Sequence, residues 1–208
     1  MPDALLNQIQ LKSSSIRFEE HDTAKKIKNE LKSNYENYTK IVFIRSPYEK
    51  VVSSYFFLKN GKSLVRGNVW AYRKNFKSFI EALKICFNIF TTRVIPFKIW
   101  SLIRPVKHNS PYVKAKDRFI VNYIGLTEHL NDHLPQLLIN AGVVKVPFKL
   151  PEKKVNTSAH LEASFYYKSG SLHKKIFDWI YRDEIQLYEK VAQKAPNFDF
   201  QGRAMSEL

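Results

Sequence analysis

The chain has 208 residues, with 34 Lys and Arg against 19 Asp and Glu, a formal charge of +15 and a sequence pI near 9.8. With 44% hydrophobic and 14% aromatic residues it has enough apolar material for a core, which excludes a disordered basic tail; six Gly and nine Pro exclude a collagenous or linker-rich chain. The one cysteine, Cys86, excludes an internal disulfide or a Cys-based zinc site within these residues and fits a reducing compartment.

Met1 to Gln10 lack the basic start and long apolar run of a secretory signal, so a cytoplasmic location is expected. The most apolar stretch, Ile85 to Ile103, is interrupted by Arg93, Pro96 and Lys98. Charges at mid-bilayer are too costly for an ordinary spanning helix, and the stretch reads as a lid or a surface-seeking segment. A single domain over residues 1–208 is expected.

Ser15 to Glu19 alternate like a short strand that ends at His21. From Asp22 as N-cap, Ala24, Ile27 and Leu31 recur at helical spacing. Lys40 to Ile44 is a continuous β-branched and aromatic run, the pattern of a central parallel strand buried on both faces. It stops at Arg45-Ser46-Pro47, where Pro47 suits a first helical turn and Ser46 a cap, so a helix is expected through Tyr55 and Phe56. Residues 59–118 read as a basic, irregular insertion, with one helix suggested by Phe76, Phe79, Ile80 and Leu83 and breaks at Pro96, Pro105 and Pro111. A second strand is expected over Phe119 to Gly125, then a helix from Leu130 to Ala141 stopped by Gly142. One long helix closes the chain, with a stripe from Ile176 and Phe177 through Tyr188 to Val191 and Ala192. Strands alternating with helices, without hairpin signals, predict a three-layer α/β domain around a central parallel sheet.

Residues 59–118 hold 14 Lys and Arg against Glu81 and Asp117, a net of +12. Such a single-sign region concentrates anionic partners, whether nucleotide, polysaccharide or nucleic acid; the other reading is a solvated face. Arg45, at the end of a buried strand, and Ser53, eight residues on, are placed to grip one phosphate from two sides. The alternative is a structural ion pair at Arg45 and an ordinary helix residue at Ser53. His129 and His133 share one helix face without a third ligand, so they read as a solvated face and no metal site is expected. Tyr166 and Tyr167 read as core, while Trp70, Tyr72 and Trp100 suit either stacking on sugars or bases or local core.

Ile41 to Pro47, continued through Ser53-Ser54-Tyr55, resembles the 3′-phosphate-binding motif R-(D/N)-P-(F/Y/W)-x-R-x-(V/L)-S-x-Y of the carbohydrate sulfotransferases of family 2 type, in a bacterial-like form. These enzymes use PAPS, 3′-phosphoadenosine 5′-phosphosulfate. Upstream, His21 to Ile27 resembles H-x-T-A-x-x-I. Downstream, Tyr123 to Leu130 is similar to F-I-G-x-x-E-x-L, and Asn156-Thr157-Ser158, Tyr166-Tyr167, Asp183 and Tyr188 resemble N-x-S…Y-Y…D-x-x-x-(F/Y).

The resemblance implies a P-loop-like sulfotransferase domain moving a sulfuryl group from PAPS to a hydroxyl of a glycan or similar acceptor. Arg45 and Ser53 match the positions that hold the PAPS 3′-phosphate, and His21 matches one at the edge of the transfer site, suited to a catalytic base. His108, in a segment similar to H-x-x-P-Q, and Arg66, Arg73 and Lys77 of the basic region are the candidate acceptor-binding residues. Ser46 stands for the usual Asp or Asn, Lys50 for the second Arg and Tyr112 for the Gln. The family's 5′-phosphosulfate loop, P-K-(T/V/A)-(A/G)-(G/C)-T-S, is not found ahead of His21, and Lys12-Ser13-Ser14-Ser15 reads as a polar turn. The expectation is an N-terminally incomplete domain that binds PAP, the desulfated nucleotide, and transfers sulfate negligibly. A second function class stays open: a non-catalytic basic protein binding anionic polysaccharide or nucleic acid, although no helix-turn-helix, RRM or zinc pattern supports specific nucleic-acid recognition.

Overall fold

The computed structural model describes residues 23–59, 87, 90–104, 108–146, 148 and 160–208. Helix α1, Ala24–Leu31, starts one residue later than expected: Thr23 rather than Asp22 is the cap, its Oγ1 accepting the Lys26 N–H at 3.2 Å. Strand β1 is Ile41–Ile44, and α2, Pro47–Lys59, opens on the proline that lacks an N–H. Helix α3, Phe97–Ile103, begins after Pro96, and α4, Ser110–Val113, carries Pro111 in its first turn, so both prolines start helices rather than merely breaking a pattern. Strands β2, Lys114–Ala115, and β3, Arg118–Phe119, are followed by β4, Tyr123–Leu126, and α5, Leu130–Asn140. Helices α6, Ala163–Tyr166, α7, Leu172–Ile180, and α8, Arg182–Lys194, complete the order.

The protein is thus a mixed helix and strand domain with a small parallel sheet. β1 and β4 pair in parallel, Ile41 opposite Tyr123 and Ile44 opposite Leu126. Parallel pairing needs a long crossover, which α2 to β3 supply. One apolar cluster gathers Ile44, Ile124 and Leu126 of this sheet with Val113, Phe119, Leu187, Val191 and Phe200. A second lies among α2, α3, α6 and α7, built on Val51, Val52, Tyr55, Trp100, Tyr167, Phe177 and Tyr181.

Three features differ from the expectations. Phe119 to Gly125 is not one strand: Phe119 pairs with Lys114 in an antiparallel ribbon, and β4 begins only at Tyr123. Ile120 turns between them because its N–H goes to the Val113 carbonyl and its own carbonyl takes the Tyr35 hydroxyl at 2.6 Å. The ribbon turns on Lys116, at φ 55, where a glycine or asparagine would have announced a hairpin. The final helix is two helices, since Tyr181 leaves helical geometry at φ −102, ψ 17 and donates its buried hydroxyl to the Arg104 carbonyl. As a result Phe177 and Tyr181 are buried while Ile176 and Ile180 face outward.

Gly125 sits opposite Phe43 in the sheet. A Cβ there would lie 2.7 Å from Phe43 Cδ1 and 2.8 Å from Leu137 Cδ1, inside van der Waals contact. Gly125→Ala should therefore cost about 1–3 kcal/mol by overpacking, read as a lower urea midpoint.

Candidate functional site

The site grows from the C-terminal ends of the two parallel strands, where open α/β sheets bind their ligands. Ser46, the first residue past Arg45, donates its N–H to Glu128 Oε1 at 2.7 Å, and Thr127 donates its hydroxyl to the Ile44 carbonyl at 2.9 Å. The two strand ends are thereby laced together. Tyr188 of α8 lies beside them: burial and then the charge of neighbouring Glu128 push the phenol up to about 12.

Arg45 follows the strand, two residues before α2, and Glu49 and Ser53 lie on that helix four residues apart, on neighbouring turns. Glu49 stands in the first turn, where the backbone N–H groups favour negative charge, and Ser53 follows one turn later. Arg45 Nη2 lies 3.7 Å from Glu49 Oε2, a loose contact, and the Arg45 side chain is 36% exposed, so its guanidinium is open to an anionic ligand. Glu49 is anchored separately, its Oε1 accepting the Ala163 N–H at 2.7 Å at the start of α6.

Beside the strand end lies a small recess open to solvent, lined by Pro47, Lys50, His108, Asn109, Tyr181 and Glu184. Glu184, buried in the first turn of α8, is its hub: Oε2 accepts the Asn109 N–H at 2.6 Å and Oε1 the Ser110 N–H at 3.1 Å. His108 Nδ1 stands 3.4 Å from Glu184 Oε1, and its ring stacks on Tyr181. Asn109 ties recess and strand end together. Its Nδ2 donates to the Arg45 carbonyl at 2.9 Å, and its Oδ1 accepts Lys50 Nζ at 2.8 Å.

The structure thus ties the Arg45 carbonyl and Lys50 together through Asn109, sets His108 beside Glu184 in the same recess, and places Ser53 further along α2. His21, Arg66, Arg73, Lys77, Trp70, Tyr72 and residues 155–158 lie outside the described residues. Trp100 is core, its indole N–H bonded to Thr92 Oγ1, and Tyr167 is buried as expected. His133 does not lie on a solvated face: its Nδ1 accepts the Leu126 N–H at 3.0 Å, capping the end of β4.

Burial, then the neighbouring His129, holds His133 below its ordinary range against the opposing pull of Asp132, and burial does the same to His173. A histidine depressed in the folded state binds protons more readily when unfolded, so its contribution is present above about pH 6.5 and is lost as pH falls toward the folded value. Stability should fall between about pH 7 and pH 5, and His133→Asn, which keeps an acceptor but cannot titrate there, should reduce that loss in urea unfolding.

Glu184, Asn109, Glu49 and Glu128 are the members of the site to which the sequence reading gave no role. A signal for Glu184 was present: the spacing D-x-x-x-(F/Y) is met by Glu184 and Tyr188, with Glu for Asp, whereas Asp183 stands one residue too early and is exposed. Residues 3–190 match the family model described as Sulfotransferase family. The chain belongs to the sulfotransferase family. No curated protein and no solved structure matches it. The family match runs across β1, α2, the His108 recess and most of α8, so every element of the site belongs to the sulfotransferase region.

Proposed function

We propose that this sulfotransferase takes its sulfuryl group from PAPS and delivers it to a hydroxyl of a glycan or similar acceptor, in the cytoplasm, on a single three-layer P-loop-like domain spanning residues 1–208. The observation that carries the reading is Arg45, partly exposed at the end of β1 just before α2 and loosely paired with Glu49 in the first turn of that helix. A charged fork, a hydroxyl and a helix N-terminus suit a phosphate dianion, and here they take the nucleotide's 3′-phosphate. In the transfer, the acceptor oxygen bonds to sulfur as the bond from sulfur to the bridging oxygen breaks. PAP departs with the negative charge, and the acceptor proton passes to a base. His21 is the proposed base, with His108, Arg66, Arg73 and Lys77 holding the acceptor.

Calorimetric titration with PAP and, separately, with heparin tests this reading. PAP should bind with mild salt dependence, and heparin with an affinity that falls steeply with salt. Reversing Arg66, Arg73 and Lys77 together to Glu should abolish heparin retention and spare PAP. The net +12 of residues 59–118 favours one other reading, a non-catalytic binder of anionic polymers. Steep salt dependence on heparin or DNA with no PAP binding would establish that reading instead.

A further inference from the structure

Helix α7 is apolar on two sides. Its inner side carries Phe177 into the second core cluster and His173 against α3, where Ser101 Oγ lies 2.8 Å from His173 Nε2. At 100° per residue, Trp179 and Leu172 fall on the side opposite Phe177, and Ile176 and Ile180 lie on the flank between them and the core, so one apolar arc runs from the core to the outer side. All four are exposed, Leu172 to 71% and Trp179 to 76%. The outer side of a helix in a globular domain ordinarily carries charge, so an arc of Leu, Ile, Trp and Ile needs a partner to cover it. Neighbouring α3 adds exposed Ile99 and Ile103.

The charges around the arc indicate which partner. Lys168 and Lys175 are exposed before and within α7, and Lys98 is exposed on α3. The acidic residue of α7, Asp178, is engaged at 2.6 Å both by the Tyr48 hydroxyl and by Lys174 Nζ. Asp183, just past the helix, lies 3.5 Å from Arg182. Cores of protein interfaces are depleted in lysine, whereas helices lying in a membrane interface combine Trp, Leu and Ile on one face with lysines at its border.

We propose that this face docks the protein on an anionic lipid surface, with α7 parallel to the membrane plane, Trp179 at headgroup depth and the lysines on lipid phosphates. Nine residues rise only about 13 Å, so the helix lies on the bilayer and does not cross it. Among the described residues no helix is long and apolar enough to cross a membrane.

Sedimentation of the full chain with phosphatidylcholine vesicles, with and without about one third phosphatidylserine, tests the proposal. Binding is expected to the anionic vesicles and to be weaker on the neutral ones. Because the basic chain can adhere to anionic vesicles without α7, the decisive variant is Leu172→Ser with Trp179→Ser, which keeps the charge. It should lower vesicle partitioning at least about tenfold, with far-UV circular dichroism unchanged. Trp179→Ser alone, as the milder variant, should lower it by less. Equal binding by wild type and the double variant overturns the proposal, as does absence of binding to either vesicle. Concentration-dependent dimerisation abolished by the double variant, without vesicle binding, would give the face to a second copy of the chain.

Discussion

Arg45→Ala should weaken PAP binding by about 2–4 kcal/mol, roughly 30- to 700-fold, because a charge-assisted contact to a partly buried phosphate is lost. Ser53→Ala, removing a neutral donor, should cost about 1 kcal/mol. The difference follows from the positions of the two groups: Arg45 brings a full charge to the strand end, while Ser53 adds one hydroxyl further along the helix. Glu49 does not remove the effect, since its contact with Arg45 is 3.7 Å long and its other oxygen is committed to the Ala163 N–H. Isothermal titration of both variants with PAP measures the ratio, and equal affinity in wild type and Arg45→Ala would end the assignment.

The second large effect belongs to Glu184. Its buried carboxylate accepts two backbone N–H groups at the start of α4 and faces His108, so Glu184→Ala leaves the Asn109 and Ser110 donors without that acceptor. A loss of about 3–5 kcal/mol in urea unfolding is expected, in the range found when one partner of a buried charged network is removed. Glu184→Gln, which keeps one carbonyl acceptor, should cost less. Because Asn109 also holds the Arg45 carbonyl and Lys50, the Ala variant should weaken PAP as well. A cost below about 1 kcal/mol would show that the 108–110 turn is held by something other than Glu184.

The strand end at Arg45 was legible because it depends on short-range signals: a β-branched run, then Arg-Ser-Pro, then a helical pattern. The parallel pairing of β1 followed from the same logic, since strands alternating with helices leave few other arrangements. What escaped depends on long-range contacts. Nothing near Glu184 in the chain says that it will meet residues 74 and 75 positions earlier, and its apolar neighbours Ile185 and Leu187 made it look like the polar side of an ordinary amphipathic helix. Tyr181 likewise reads as one more member of an apolar stripe, and only its hydroxyl bond to Arg104 makes it the break between α7 and α8. His133 escapes for a different reason: its partner, the Leu126 N–H, is only seven residues earlier, and the chain reversal from β4 into α5 that brings them together has no residue-type signal.

Whether Arg45 reads a 3′-phosphate is decided by a thermodynamic cycle over residue and ligand. PAP and adenosine 5′-phosphate, which lacks the 3′-phosphate, are titrated into wild type and Arg45→Ala. Wild type should prefer PAP, Arg45→Ala should lose most of that preference, and the coupling should be about 2 kcal/mol or more. Preference for PAP of the same size in both proteins, with a coupling near zero, would contradict that role for Arg45.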